Sequence, residues 1–308
     1  MKRATRRRGP NNRTLLLGMA AATVAGTALF VKQWRKWQQT PPVGIHSHQA
    51  GLAGYYQQVG PWRMFTRTTP ESRPGLPVVL LHGMVLSGRA MEDLALALGW
   101  EYRVLVPDLP GFGGSSLPVS QPVLNIDQLA EALWMWMQQN QLSRAIFVGN
   151  SMGCQVLAAL AVAHPEAVAG LVLQGPTVDR HNRSLLRQIW RDWCNGRREA
   201  HRSPAALSRI DYAKAGVWRA IGTVRAMMRD RIEQRLPHIK APTLVVRGSY
   251  DVVSPARWVA EVVALLPRGE LMTIAQGTHT LHYVYPWSYG RAIRPFIDRV
   301  QKEQENHE

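Results

Sequence analysis

Gly149, Asn150, Ser151, Met152 and Gly153 stand between an apolar run at 145–148 and a run of small apolar residues at 155–162. The pattern predicts strand, sharp turn and helix, with Ser151 in the turn. A side chain at such a corner needs strained backbone angles, and glycines on either side remove the Cβ atoms that would collide. G-x-S-x-G in this setting is a nucleophile elbow. It lifts the serine hydroxyl off the sheet and sets it at a helix N-terminus, where unpaired N–H groups and the positive dipole end favour a developing oxyanion. A serine activated this way needs a base within hydrogen-bond reach and an acid to orient that base. Two later loops carry those residue types. Asp251 follows the apolar run 244–246, in the turn Gly248, Ser249, Tyr250, Asp251 that closes at Pro255. His279 follows the run 271–274, after Gly277 and Thr278. His282 is a second candidate base, and Asp251 can also be read as a plain turn residue.

Both loops serve the serine only if they open at the same sheet edge as the elbow. Residues 78–81 are wholly apolar, as expected of a strand buried on both faces of a parallel sheet, and end in His82, Gly83 and Met84. A helix is predicted over 89–98, a strand over 103–106, and then a glycine-rich loop from Asp108 to Ser115 that lacks the lysine of a phosphate loop. His82 and Asp108 read as loop-shaping residues. Residues 126–137 are apolar at helical spacing, through Ile126, Leu129, Leu133 and Met137, and a strand follows the elbow helix at 171–173. Strand and helix in alternation predict a parallel sheet covered on both faces. Residues 55–68 suit an early antiparallel hairpin. The alternation stops at 178, and from there to 236 the chain is arginine-rich, apolar at helical spacing and free of strand signals, which predicts an inserted helical cap. Strand 244–246, helix 258–265, strand 271–274 and a closing helix 292–300 complete the order.

Taken together, His82-Gly83, the Asp108 to Gly113 loop, the elbow, the Gly248/Asp251/Pro255 turn and the late His279 resemble the α/β-hydrolase superfamily, in its order and at its intervals over roughly residues 50–300. The resemblance implies an α/β fold with a mostly parallel central sheet, helices on both faces and an inserted cap. It implies Ser151 as nucleophile, His279 as general base and acid, and Asp251 as the orienting carboxylate, with the main-chain N–H groups of Met84 and Met152 as oxyanion hole and no metal or cofactor. Serine at the elbow departs from the branches that use an aspartate nucleophile, and Met84, Val85 and Leu86 replace the extra glycines of the HGGG-type esterases. The implied activity is cleavage of a carboxylic ester or related acyl substrate, small or lipid-like, through an acyl-enzyme. Carbon–carbon bond hydrolysis with the same triad, and a ligand-binding protein that kept the fold without the chemistry, are the alternatives. Within the cap, Trp190, Trp193, Trp218, Met227 and Met228 are read either as plain packing, the commoner role of such stripes, or as the lining of an apolar acyl pocket, and its positive charge either as solvated helix faces or as a draw for anionic substrates and lipid headgroups.

The formal charge of +16 is localised. Residues 1–36 carry nine Lys/Arg and no acid, and residues 178–240 carry fifteen Lys/Arg against six acids, so the rest of the chain is close to neutral. No basic-aromatic reading surface for nucleic acid is evident. Residues 14–31 are uncharged, and eighteen residues of helix at about 1.5 Å each span about 27 Å, near the thickness of a bilayer core. This predicts an N-terminal transmembrane anchor, with residues 1–42 as basic tail, anchor and linker, 43–308 as the hydrolase domain, and folded structure from about Ala50. Six positive charges before the segment against three after it put the N-terminus in the cytoplasm and the catalytic domain outside. A cleaved signal peptide ending near Gly26 and Ala28, with a secreted or periplasmic product, is the alternative. Cys154 and Cys194 form neither a disulfide framework nor a metal site. Oligomeric state is left open.

Overall fold

The computed structural model describes residues 26–69, 73–84, 86–115, 117–118, 120–199 and 202–306. The chain divides into two units, residues 1–40 and 41–308. In the first, residues 26–38 are helical. Phe30, Trp34 and Trp37 follow one another along that helix, with ring centroids 5.7 and 6.3 Å apart. Most of the anchor expected over 14–31 lies outside the described residues. Its last six residues open a helix that runs on through Lys32, Arg35 and Lys36, and among the described residues no helix is long and apolar enough to cross a membrane. The transmembrane helix therefore has no support in the described residues.

The second unit takes in Pro41 to Gln49, ahead of the Ala50 start that the pattern suggests. Two carbonyls hold this segment: Pro42 O accepts from Arg67 Nη2 and Pro41 O accepts from Arg89 Nη1. Proline has no N–H to give a strand, yet its carbonyl remains free to accept, and the sequence pattern carries no sign of that.

Eight strands make one sheet: β1 (Ala53–Val59), β2 (Trp62–Thr68), β3 (Val78–Leu81), β4 (Val104–Pro107), β5 (Ala145–Asn150), β6 (Val168–Gln174), β7 (Thr243–Gly248) and β8 (Gly269–Ile274). Their order is β1-β2-β4-β3-β5-β6-β7-β8. The β1/β2 hairpin is antiparallel and β2 pairs antiparallel with β4; every later pairing is parallel. Alternate residues of the inner strands divide between two cores. Val79, Leu81, Phe147, Leu171, Leu173 and Val245 pack on one face, and Val78, Leu80, Ile146, Val148, Val172, Leu244 and Val246 on the other. Burying each such side chain contributes about 1.5–3 kcal/mol, which explains why these strands read as unbroken apolar runs.

Helices cover both cores. α1 (Glu92–Leu98), α2 (Ile126–Gln139), α3 (Met152–Ala163), α4 (Leu185–Arg198), α5 (Ala205–Ala215), α6 (Val217–Arg229), α7 (Ala256–Leu265) and α8 (Pro286–Glu305) are the longer ones. Leu129, Leu133 and Trp136 of α2, with Val156, Leu157 and Leu160 of α3 and Val259 and Val262 of α7, fill the first core. Leu94 and Leu98 of α1, with Tyr289, Ile293, Phe296 and Val300 of α8, fill the second. α2 begins where a capping box allows: Gln128 N–H donates to Asn125 Oδ1 and Asn125 N–H to Gln128 Oε1, both at 2.9 Å. α8 starts six residues before the expected 292, because Pro286 occupies its first turn, where a missing N–H costs nothing. α4, α5 and α6 stand between β6 and β7, with no strand among the described residues of that stretch.

Register decides what the loops can reach. Leu81 lies opposite Gly149, Asn150 opposite Gln174, Gln174 opposite Val246, and Gly248 opposite Ile274. The loops after β3, β5, β6, β7 and β8 therefore open at one edge of the sheet, the carboxyl ends of the parallel strands.

Candidate active site

Ser151 sits between β5 and α3 with φ 54° and ψ −117°. For a residue with a Cβ this is a strained conformation, costing on the order of 1–3 kcal/mol, and the close packing of the elbow enforces it. A Cβ on Gly153 would stand 2.8 Å from the carbonyl oxygens of both Leu81 and His82, so only glycine lets α3 approach β3. On the other side, a Cβ at Gly83 would lie 3.2 Å from Ser151 Cβ. The loop that carries Met84 thus runs directly against the serine. Met152 is the first residue of α3 and is buried; first-turn N–H groups have no partner within the helix. Ser151 Oγ lies 3.5 Å from Thr177 Oγ1, in the loop after β6.

Asp251 and His279, from loops 28 residues apart in sequence, are hydrogen-bonded: Nδ1 to Oδ2 is 2.9 Å. The other carboxylate oxygen accepts the N–H groups of Val253 and Ser254 at 2.8 and 2.9 Å. One oxygen thus shapes the Asp251 turn while the other orients the imidazole, and the pairing puts the histidine proton on Nδ1 and leaves Nε2 as the basic atom. Burial works against charging His279, but the charge and hydrogen bond of Asp251, with Glu199 and Asp192 further off, outweigh it and hold the imidazole pKa above its ordinary value.

His282 has a different environment. It is buried, and its Nδ1 meets Gln174 Oε1 at 2.9 Å, with no carboxylate partner among the described residues. Burial first, then the neighbouring His279 and His82, push its pKa down to about 3. An amide can orient such a ring but does not stabilise the imidazolium that a general base must form. His82 is likewise buried and neutral in its contacts: its Nε2 accepts Leu109 N–H at 3.1 Å, so the proton stands on Nδ1, 2.9 Å from Gly83 O. It pins the loop that carries Met84. Asp108 bonds within its own turn, accepting Gly114 N–H at 2.7 Å, and also accepts Gly88 N–H and Arg67 Nη1 at 2.7 Å.

Several residues around Ser151, Asp251 and His279 carry no local signal. Gly175, just past β6, has φ 59°, and a Cβ there would stand 2.9 Å from the His279 ring and 3.1 Å from Asp251 Oδ2. Asn150 and Gln174 both donate to His279 O, the former at 3.1 Å. From the cap, Asn195 Oδ1 accepts His279 N–H and Glu199 Oε1 accepts Thr280 N–H, each at 3.0 Å. Side chains from β5, β6 and α4 therefore clamp the histidine loop through its main chain. Gln174 could have been found, as the polar residue ending a wholly apolar strand. Asn195 and Glu199 are more than eighty residues from their partners, and periodicity says nothing across such a distance. Arg67 is similarly silent in sequence: it is fully buried between Glu92 at 2.9 Å and Asp108 at 2.7 Å. A third cap contact is Asp211, which accepts Ser87 N–H at 2.8 Å and Ser87 Oγ–H at 3.0 Å, tying α5 to the loop after Met84.

Trp190, Trp193 and Trp218 are each more than half exposed, so the plain packing one reading gives them is not found. α4 turns Asn195 inward to hold His279, and Glu199, just past its end, holds Thr280, so the apolar side of α4 faces solvent. Met227 packs into the first core, with Met228 against it.

Three comparisons bear on this geometry. The family model described as the alpha/beta hydrolase fold matches residues 77–197. Among curated proteins, the chain is 28% identical to the magnesium-chelatase 30 kDa subunit of Rhodobacter capsulatus, over 74% of this chain and 88% of that protein. It is 25% identical to the pimeloyl-[acyl-carrier protein] methyl ester esterase of Vibrio cholerae, over 68% and 89%. Among solved structures, a bacterial membrane phospholipase A superposes with a TM-score of 0.71 at 23% identity, covering 94% of this chain and 99% of that one, a likeness of fold.

Proposed function

The chain belongs to the α/β-hydrolase fold superfamily and is a hydrolase, and on that premise we propose that it cleaves a carboxylic ester or related acyl compound through Ser151, His279 and Asp251. The observation that carries this reading is the Asp251–His279 pair at the sheet edge where Ser151 is held strained on its elbow. Ser151 Oγ attacks the acyl carbonyl as His279 Nε2 takes its proton, and Asp251 stabilises the imidazolium that forms. The N–H groups of Met84 and Met152 receive the oxyanion, each worth on the order of 3 kcal/mol in the transition state. His279 then gives its proton to the leaving group. A water activated by the same imidazole releases the acid. The esterase of Vibrio cholerae, similar over two thirds of this chain, favours an ester over a carbon–carbon bond as the scissile group.

The test is hydrolysis of p-nitrophenyl esters of short and long acyl chains by wild type and Ser151→Ala, with fluorophosphonate labelling alongside. Turnover and labelling are expected in wild type and lost in the variant. Equal background rates with no labelling would leave a binding protein on a hydrolase fold. Residues 14–31 are proposed to anchor this activity to a membrane, N-terminus inside and residues 43–308 outside the cytoplasm. The charge asymmetry around the segment supports that orientation. Protease added to intact cells should digest the catalytic domain.

A further inference from the structure

α4 is amphipathic the wrong way round. A surface helix normally turns its apolar stripe to the core and its charges to water. Here Leu186, Ile189, Trp190 and Trp193, at i, i+3, i+4 and i+7, are 79%, 58%, 61% and 51% exposed, with Leu185 beside them at 49%. The polar residues face inward: Arg191 pairs with Asp179, Asn195 holds His279 and Glu199 holds Thr280. The inner face is committed to the catalytic loop, so the outer face cannot be buried by rotating the helix.

The charge on this face identifies what covers it. Arg197 continues the stripe one turn past Trp193 and lies over its indole, 5.0 Å from the ring centroid. Arg187 donates to the neutral Asn182 side chain, and Arg198 donates to Tyr250 O at 2.7 Å. None of these three guanidiniums has an acidic partner among the described residues, and against them the helix carries a single acid, the exposed Asp192 three residues after Ile189. Two stacked indoles, 5.0 Å between centroids, three aliphatic side chains and arginines with no acidic partner match the two layers of a bilayer interface. Acyl chains meet the apolar stripe and anionic headgroups meet the guanidiniums. A protein partner would need its own acidic rim around an apolar groove.

We propose that the outward face of α4 docks on an anionic lipid surface, with Leu186, Ile189, Trp190 and Trp193 entering the interface and Arg187, Arg197 and Arg198 engaging lipid phosphates. Docked this way, about one helix diameter, about 10 Å, separates the headgroups from the His279 main chain that Asn195 holds.

The test uses the full chain, which keeps any insertion by residues 14–31 common to all samples. Vesicles of phosphatidylcholine with phosphatidylglycerol carry bromine near the headgroup end of their acyl chains, and tryptophan fluorescence is compared between wild type and Trp190→Phe/Trp193→Phe. The difference between the two proteins reports only those indoles. It is expected to fall by roughly half on brominated lipid, as for side chains buried about 5–10 Å into the interface. Quenching should weaken in pure phosphatidylcholine and in Arg187→Gln/Arg197→Gln. A difference signal identical with and without bromine overturns the proposal. So does one that shifts to the blue with protein concentration and ignores lipid, which would assign the face to a second copy of the chain. Ser151→Ala should give the same quenching, so loss of the esterase reading leaves this result standing.

Discussion

At the scale of single residues, the Asp251–His279 pair makes a directional prediction. The imidazole must be neutral to act as base, and it titrates above its ordinary value because Asp251 outweighs the cost of burial. The acid limb of kcat/KM should accordingly lie above pH ~6.5. In Asp251→Asn the limb should move to lower pH while the rate falls by about 10³–10⁴; a limb that stays in place would detach His279 from the step it reports. Gly175→Ala tests the packing behind the pair. The new Cβ meets the His279 ring at 2.9 Å in a backbone conformation that alanine resists, so kcat should drop on the order of a hundredfold, as for a catalytic group misplaced by about 1 Å. Circular dichroism should show whether the fold is kept. Ser151, Asp251 and His279 were each legible as candidates, since the elbow, the turn and the late loop follow recognisable strands. The preference for His279 over His282 has its physical basis in partners, a carboxylate for one and an amide for the other.

The cap helices set the next scale. α4 has the composition of a packed amphipathic helix, and its apolar spacing, read alone, points Trp190 and Trp193 inward. Hydrogen-bond demand reverses it: two buried main-chain N–H groups, of His279 and Thr280, need acceptors, and Asn195 and Glu199 supply them. Leaving a buried donor unmade costs about 1–3 kcal/mol. Asn195→Ala should therefore lower the melting temperature and reduce kcat about tenfold, with KM for a small ester little changed, and Asn195→Asp, which keeps an acceptor, should recover most of the loss. A purely structural role would lower stability and leave kcat per folded molecule untouched. The elements themselves were readable to within a few residues wherever a strand is buried on both faces. The docking of Pro41 and Pro42 was not, because it depends on two arginines distant in sequence, whereas the start of α8 is marked locally by Pro286.

Over the whole molecule, the cap and the sheet are joined at a titratable contact. Asp211 of α5 accepts both donors of Ser87, and burial, reinforced by the charge of Asp108, raises its carboxyl to about 6. A carboxyl whose folded pKa lies above its unfolded value gives stability in full below the unfolded value, and that stability is lost as pH rises through the folded one. Between pH ~4 and ~6 the wild type should lose melting temperature relative to Asp211→Asn, and the gap should level off above that range. Thermal unfolding of both proteins across this range checks the sign. The sequence by itself determined the alternation of strand and helix, the inserted cap, the nucleophile elbow and the candidates for base and acid, because each is written in spacing over a few residues, where one chain segment meets its own neighbours. Tertiary structure alone decided that Asp251 turns to His279, that Asn150, Gln174, Asn195 and Glu199 clamp the loop, that Arg67 is buried between two carboxylates, and that α4 shows its apolar face to solvent. These depend on which polar groups lose water together when distant segments meet, and the cost of leaving any of them unpaired overrides the local pattern.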